Sequence, residues 1–151
     1  TELTFFSEGK LKYKESFNIG TIRLLKSQVK DSNWNQMKEH LKYNTKSSLP
    51  MIAIGSGGNI NKVFSLSKKK EGKPLSLELL KDYYKELSSV TIEERIKLYK
   101  LREDRADVIV PALQIYTNVM RWSDISEIHV PKIGLADGLI QNLYYEVKNR
   151  V

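Results

Sequence analysis

The residues best suited to chemistry lie in Ile52-Ala53-Ile54-Gly55-Ser56-Gly57-Gly58-Asn59-Ile60-Asn61. A short apolar run ends in glycines, and apolar residues at helical spacing (Ile60, Val63, Phe64) follow. Glycine lets the backbone approach an anion with no Cβ in the way. Successive amides at a helix start then point at that anion, with the helix dipole behind them. The turn also falls at the carboxyl end of a strand, where open α/β sheets bind ligands. A phosphate held by Gly55, Ser56, Gly57 and Gly58, with side-chain help from Ser56 and Asn59, is the ligand this pattern suits. A tight strand-to-helix turn with no ligand would use the same residues. The pattern is neither a Walker loop, which needs Gly-Lys-Ser, nor the dinucleotide fingerprint G-x-G-x-x-G.

Other candidates are sparser. Arg105 sits at a helix start between Asp104 and Asp107. It can face a cleft and contact phosphates, or pair with either aspartate. Arg23 allows the same two readings. Lys68-Lys69-Lys70 can guide a polyanion or form a solvated loop. Asp137 is read as a helix N-cap, and Trp34 and Trp122 as core or interface residues. The chain has no cysteine, which excludes disulfides, thiolate nucleophiles and Cys-zinc sites. His40 and His129 lack metal-ligand spacing, so only a hard cation on oxygen ligands stays open.

These residues need elements to carry them. Leu3 to Phe6 and Leu11 to Ile19 alternate around Ser7-Glu8-Gly9-Lys10 and predict a β-hairpin, with Leu11, Tyr13, Glu15 and Phe17 on one face. Thr21 to Leu25 enters a helix. Ser32 or Asn33 caps another that carries Trp34, Met37 and Leu41. Asn44 to Pro50 reads as a loop. Met51 to Ile54 has no polar alternation and predicts a buried, parallel strand. Ser67 to Pro74 is a loop, and Ser76 starts a helix through Leu80, Tyr84 and Leu87. Thr91-Ile92-Glu93-Glu94 is a capping box opening a helix that buries Ile92, Ile96 and Tyr99. Asp104 to Trp122 reads as one long helix kinked at Pro111. Glu127 to Val130 is a strand, and Asp137 to Asn149 a final helix with Leu139, Ile140, Leu143 and Val147 inward. The order of elements predicts an α/β layer with a mixed sheet flanked by helices.

The 151 residues, 40% of them hydrophobic, suffice for one core, and 28% are charged. No run approaches the ~18 apolar residues of a membrane span. The net charge of +7 favours a polyanionic partner or serves solubility alone. Thr1 opens directly into a strand, from which an excised piece of a longer chain is expected.

Several segments together resemble the second domain of the exopolyphosphatase and guanosine-pentaphosphate phosphatase family. They are Thr1-Glu2-Leu3 with its hairpin, Ile19 to Leu24, Ile54 to Asn59, Leu87 to Tyr99, Asp104 to Pro111, and Gly134 to Ile140. Their order matches the family's and they span nearly the whole chain. The resemblance implies a ribonuclease-H-like, actin-like ATPase lobe, residues 1–151, whose first strand is missing by truncation. It implies hydrolysis of terminal phosphoanhydrides of polyphosphate or guanosine pentaphosphate, with Mg²⁺, between two lobes in the cytoplasm.

In that family a loop of the type Asp-x-Gly-Gly-Gly-Ser precedes Thr-Glu. The loop, its strand and the first lobe with its catalytic glutamate are not in this sequence, so the chain is expected to be inactive alone. Glu2 then matches the acidic residue near the metal or attacking water, and Gly55, Ser56, Gly57 and Gly58 the second phosphate-gripping loop. Asn59 stands where many members carry a small hydroxyl residue. The missing lobe is the implied partner, and the surface left open for it allows a homodimer. The alternatives are another actin-like lobe of sugar-kinase or chaperone type, a non-catalytic sensor of a guanine nucleotide, and a basic nucleic-acid module. The last is disfavoured by basic residues scattered over many elements.

Overall fold

A computed structural model describes residues 1–46 and 50–149. Ser47 and Ser48 of the expected loop lie outside the described residues.

The hairpin forms as the alternation requires. Strand β1 (Glu2–Ser7) pairs antiparallel with β2 (Lys10–Ser16), Glu2 opposite Ser16 and Phe5 opposite Tyr13. Glu8 and Gly9 both have positive φ, which a two-residue hairpin turn demands. Helix α1 (Thr21–Leu25) follows, then α2 (Asp31–Asn44). The latter begins a residue earlier than its expected caps, and Asn33 instead accepts from the Lys30 N–H at 2.9 Å. Met37 and Leu41 are buried with Phe17, Ile19 and Ile115 in a small core under the hairpin. Trp34 and Trp122 meet edge-to-face beside it, their centroids 5.8 Å apart.

The larger core lies under a three-stranded sheet. Strand β3 (Ala53–Ile54) leads into α3 (Gly58–Leu66), β4 (Leu75–Ser76) into α4 (Leu77–Ser88), and α5 (Ile92–Tyr99) follows. Strand β5 (Glu127–His129) lies between the other two, parallel to β3 and antiparallel to β4. The expected mixed sheet is therefore present, and the hairpin forms a separate two-stranded sheet. The Ser76 hydroxyl caps α4 by accepting from the Leu79 N–H. The Thr91–Glu94 capping box closes in both directions, at 3.2 and 2.8 Å.

Four expectations need correction. The Met51–Ile54 segment is parallel but not buried. Its β3 portion is the edge strand of the sheet, and Ile52 and Ile54 point to a face left uncovered among the described residues, at 72% and 71% exposure. Ile92 is exposed, because α5 buries only its Ile96 and Tyr99 flank. The long helix is not kinked but broken, into α6 (Glu103–Ala106) and α7 (Ile109–Trp122). Pro111 lies in the first turn of α7, where its missing N–H has no helical acceptor to lose. Finally, α8 (Leu135–Lys148) starts two residues before Asp137, which is not its N-cap but its third residue and accepts from the Gly134 N–H at 2.7 Å. The helix has no buried residue, and Leu139, Ile140, Leu143 and Val147 are all exposed. No helix among the described residues is long and apolar enough to cross a membrane.

Candidate functional site

The turn between β3 and α3 is built by three glycines with three different jobs. Gly55 is buried, and its N–H donates to the His129 carbonyl at 2.8 Å, extending the β3–β5 pairing. A Cβ at Gly55 would lie 2.8 Å from Ile128 Cδ1 and 3.2 Å from Ile60 Cγ1. Its amide is thus committed to the sheet and does not reach a phosphate, which corrects its assignment as a phosphate ligand. Gly57 has φ 118° and ψ 161°, a conformation essentially confined to glycine. It occupies the N-cap of α3 and, being glycine, offers no side-chain acceptor to the first-turn amides. The N–H groups of Gly58, Asn59 and Ile60 precede the first intrahelical donor, Asn61, so they remain for another acceptor.

Gly58 admits a cation. A Cβ there would lie 2.6 to 2.7 Å from the Arg105 guanidinium, which rests against the bare backbone. Arg105 Nη1 also donates to Asn59 Oδ1, at 3.4 Å. The counterion for this cation is weak. Asp104 approaches Arg105 Nε only at 3.8 Å and gives its closer contact, 3.0 Å, to Arg102. The alternative pairing of Arg105 with Asp107 does not occur among the ion pairs of the described residues. A guanidinium at the positive end of a helix is unfavourable until an anion joins it. The arrangement supplies open amides, a forked cation and the helix dipole at one point, and that point suits a phosphoryl group.

Around this point lies a cleft of about 220 Å³. Gly57, Gly58 and Asn59 form one wall, Thr1, Gly20 and Thr21 the second, and α7 the third through Ala112, Ile115 and Tyr116. The start of the hairpin and the glycine turn therefore face each other, although β3 is an edge strand. Ser56 is exposed, and its carbonyl accepts from the Tyr116 hydroxyl at 2.9 Å. Burial pushes the Tyr116 hydroxyl above its usual pKa, further from the neutral range in which it already donates. Sequence reasoning missed Tyr116; it lies 60 residues from Ser56, and no local pattern marks it.

Helix α6, which bears Arg105, is held by Arg95, whose Nε donates to the Leu87 carbonyl at 2.7 Å and Nη1 to that of Ala106 at 2.9 Å. Glu2 stands apart from the cluster. Its carboxylate is exposed and lies 3.4 Å from Lys14 Nζ. Among the described residues no three His, Cys, Asp or Glu side chains gather as a metal set. In the lysine-rich loop, Lys69 Nζ donates to the Pro74 carbonyl, which ties that side chain to its own turn.

The family model described as "Ppx/GppA phosphatase family" matches residues 1–146. This chain belongs to that family. Similar solved structures include a Ppx/GppA family member from Aquifex aeolicus, at 20% identity and TM-score 0.76, covering 96% of this chain and 53% of that one. An exopolyphosphatase from Cytophaga hutchinsonii is 21% identical at TM-score 0.72, covering 94% of this chain and 53% of its own. An exopolyphosphatase-like protein is 16% identical at TM-score 0.70, covering 97% and 56%. No curated protein sequence matches the chain. The likeness establishes the actin-like ATPase fold for the α/β architecture described above. The chain spans about half the length of these structural relatives.

Proposed function

We propose that the chain is the C-terminal lobe of a two-lobe hydrolase. Its reaction releases terminal phosphate from inorganic polyphosphate, guanosine pentaphosphate or both. One observation carries the reading: the uncapped start of α3, which walls an open cleft, has the poorly countered Arg105 guanidinium resting against its backbone. Phosphoanhydride hydrolysis asks a protein mainly to position the phosphoryl group and stabilise its charge. The amides of Gly58 and Asn59 and the Arg105 fork do both for the terminal phosphate. Asn59, by accepting from Arg105, orients the fork.

Family membership supports the phosphatase half of this reading, and the relatives' greater length supports a second lobe. Mg²⁺ takes one or two carboxylates and otherwise water and phosphate oxygens. Glu2 is proposed as the carboxylate this chain would offer, although in this chain it lies outside the cleft lining, beside Lys14. When bound, the ion neutralises phosphate charge. The water-activating carboxylate belongs to the other lobe, so this chain binds phosphate without turning it over. The setting assigned to the reaction is the cytoplasm.

The test is calorimetry with tripolyphosphate and guanosine pentaphosphate, paired with a phosphate-release assay. Binding that Arg105→Ala weakens, with no release by the chain alone, is the expected result. Release by the chain alone overturns the half-site, and binding indifferent to Arg105→Ala overturns the site.

A further inference from the structure

Among the described residues, helix α8 buries none of its side chains and presents a large apolar surface outward. At 100° per residue, Leu135, Leu139, Ile140, Leu143, Tyr144 and Val147 share one half of its circumference. All six are at least half exposed, from 54% at Leu139 to 82% at Leu135. The helix contributes no residue to either core cluster. An isolated helix of 14 residues is marginal in water, and its stability normally comes from packing such a face. Contiguous exposed apolar surface of this kind marks an interaction site.

The polar face limits what covers it. Asp137, Gln141, Asn142 and Lys148 stand there, giving one acid against one base, while Glu146 falls within the apolar half between Leu135 and Leu139. Helices that lie on membranes carry lysine and arginine on that face, so a lipid surface is a poor match. The structural relatives of the same fold carry about as much chain again, since this chain covers 53% of two of them. A half of comparable size must share an interface with this one. The location agrees. The turn that starts α8, Pro131 to Leu135, walls a second cleft of about 610 Å³ whose other wall includes Ser56, Gly57 and Gly58. Whatever packs on α8 therefore adjoins the phosphate turn.

We propose that the apolar face of α8 is the docking surface for the other half of the family's chain. Docking there brings that half to the mouth of the phosphate cleft, where the water-activating carboxylate is required. This inference rests on the two-lobe reading given above.

The test takes the full-length gene product carrying this sequence and the 151-residue chain side by side, each with and without Leu139→Asp or Leu143→Asp. Hydrogen exchange of the α8 amides reads the docking. In the full-length protein these amides exchange at least about 100-fold more slowly than in the 151-residue chain, as burial of a local opening unit requires. Either substitution removes most of that protection and lowers the full-length Tm. In the 151-residue chain the same substitutions leave Tm and tripolyphosphate affinity unchanged, because they touch neither core nor cleft.

Equal α8 exchange in the two proteins overturns the proposal. So does a dimer of the 151-residue chain, seen by light scattering and lost in Leu139→Asp, which would make a second copy the occupant. Binding to phosphatidylserine vesicles lost in the same variant would name a membrane instead. Tripolyphosphate affinity of the 151-residue chain separates the two readings: if it survives while docking fails, only the α8 inference falls.

Discussion

The turns after β3 and β5 begin alike and end differently. Both follow neighbouring parallel strands, both pass through glycine, and both open a helix. The first is fixed from three sides: Ile128 against Gly55, the Arg105 guanidinium against Gly58, and the Tyr116 hydroxyl on the Ser56 carbonyl. The second leads into α8, which buries no residue among the described ones, and nothing lies within 4 Å of a Cβ built at Gly138. Equal topology thus gives unequal constraint. The constrained turn is preorganised for a ligand within this chain, and the unconstrained helix waits for a surface outside it.

Substitutions at corresponding places should show that inequality, and the largest effect on stability belongs to Gly55→Ala. The new methyl overlaps Ile128 and Ile60 inside the main core, an overpacking that costs about 1–3 kcal/mol. Thermal unfolding should show Tm lower by roughly 2–10 °C for a chain of this size. An unchanged Tm would mean that the turn is not clamped.

Next comes Arg105→Ala, which removes a charge-assisted contact of about 1.5–3 kcal/mol. Calorimetry should show tripolyphosphate affinity reduced by roughly ten- to a hundredfold. Stability should hold or rise slightly, since a cation leaves the positive end of α3.

Tyr116→Phe is milder. It loses one neutral hydrogen bond, about 0.5–1.5 kcal/mol, and leaves the Ser56 carbonyl to solvent. Affinity should fall by no more than about tenfold, with Gly57 sampling other backbone angles and its amide resonance broadening.

The smallest effect is Gly138→Ala in α8. With open space around the new methyl, helix propensity favours alanine by about 0.5–1 kcal/mol, so α8 should gain helicity by circular dichroism without loss of Tm. A loss of stability there would reveal packing on α8 and erase the contrast.

Much of the fold was legible in the sequence because its signals are local. The Glu8-Gly9 turn, the Ser76 cap and the Thr91–Glu94 box are each settled within a few residues. The apolar stripe of α8 was equally legible, but its direction was not. Period shows which residues share a face, and the neighbour that covers the face is set by tertiary structure. The same gap explains β3, whose apolar run reads as interior while its pairing makes it an edge. Within the site, the glycine turn was visible, yet the contacts that divide the labour among its glycines span long stretches of chain. Arg105 reaches Asn59 across 46 positions and Tyr116 reaches Ser56 across 60. Only coordinates showed that Gly55 serves the sheet while Gly57 and Gly58 serve the cleft.

The central claim is that the uncapped start of α3 and Arg105 together hold a phosphoryl group. Its most direct test is a titration of the ¹⁵N-labelled chain with pyrophosphate, followed by amide resonances. The account predicts saturable shifts centred on Gly58, Asn59 and Ile60, with Arg105 Nε–H moving in step and all of them lost in Arg105→Ala. Shifts centred on Lys68 to Lys73, or no saturable shift at the start of α3, would contradict it.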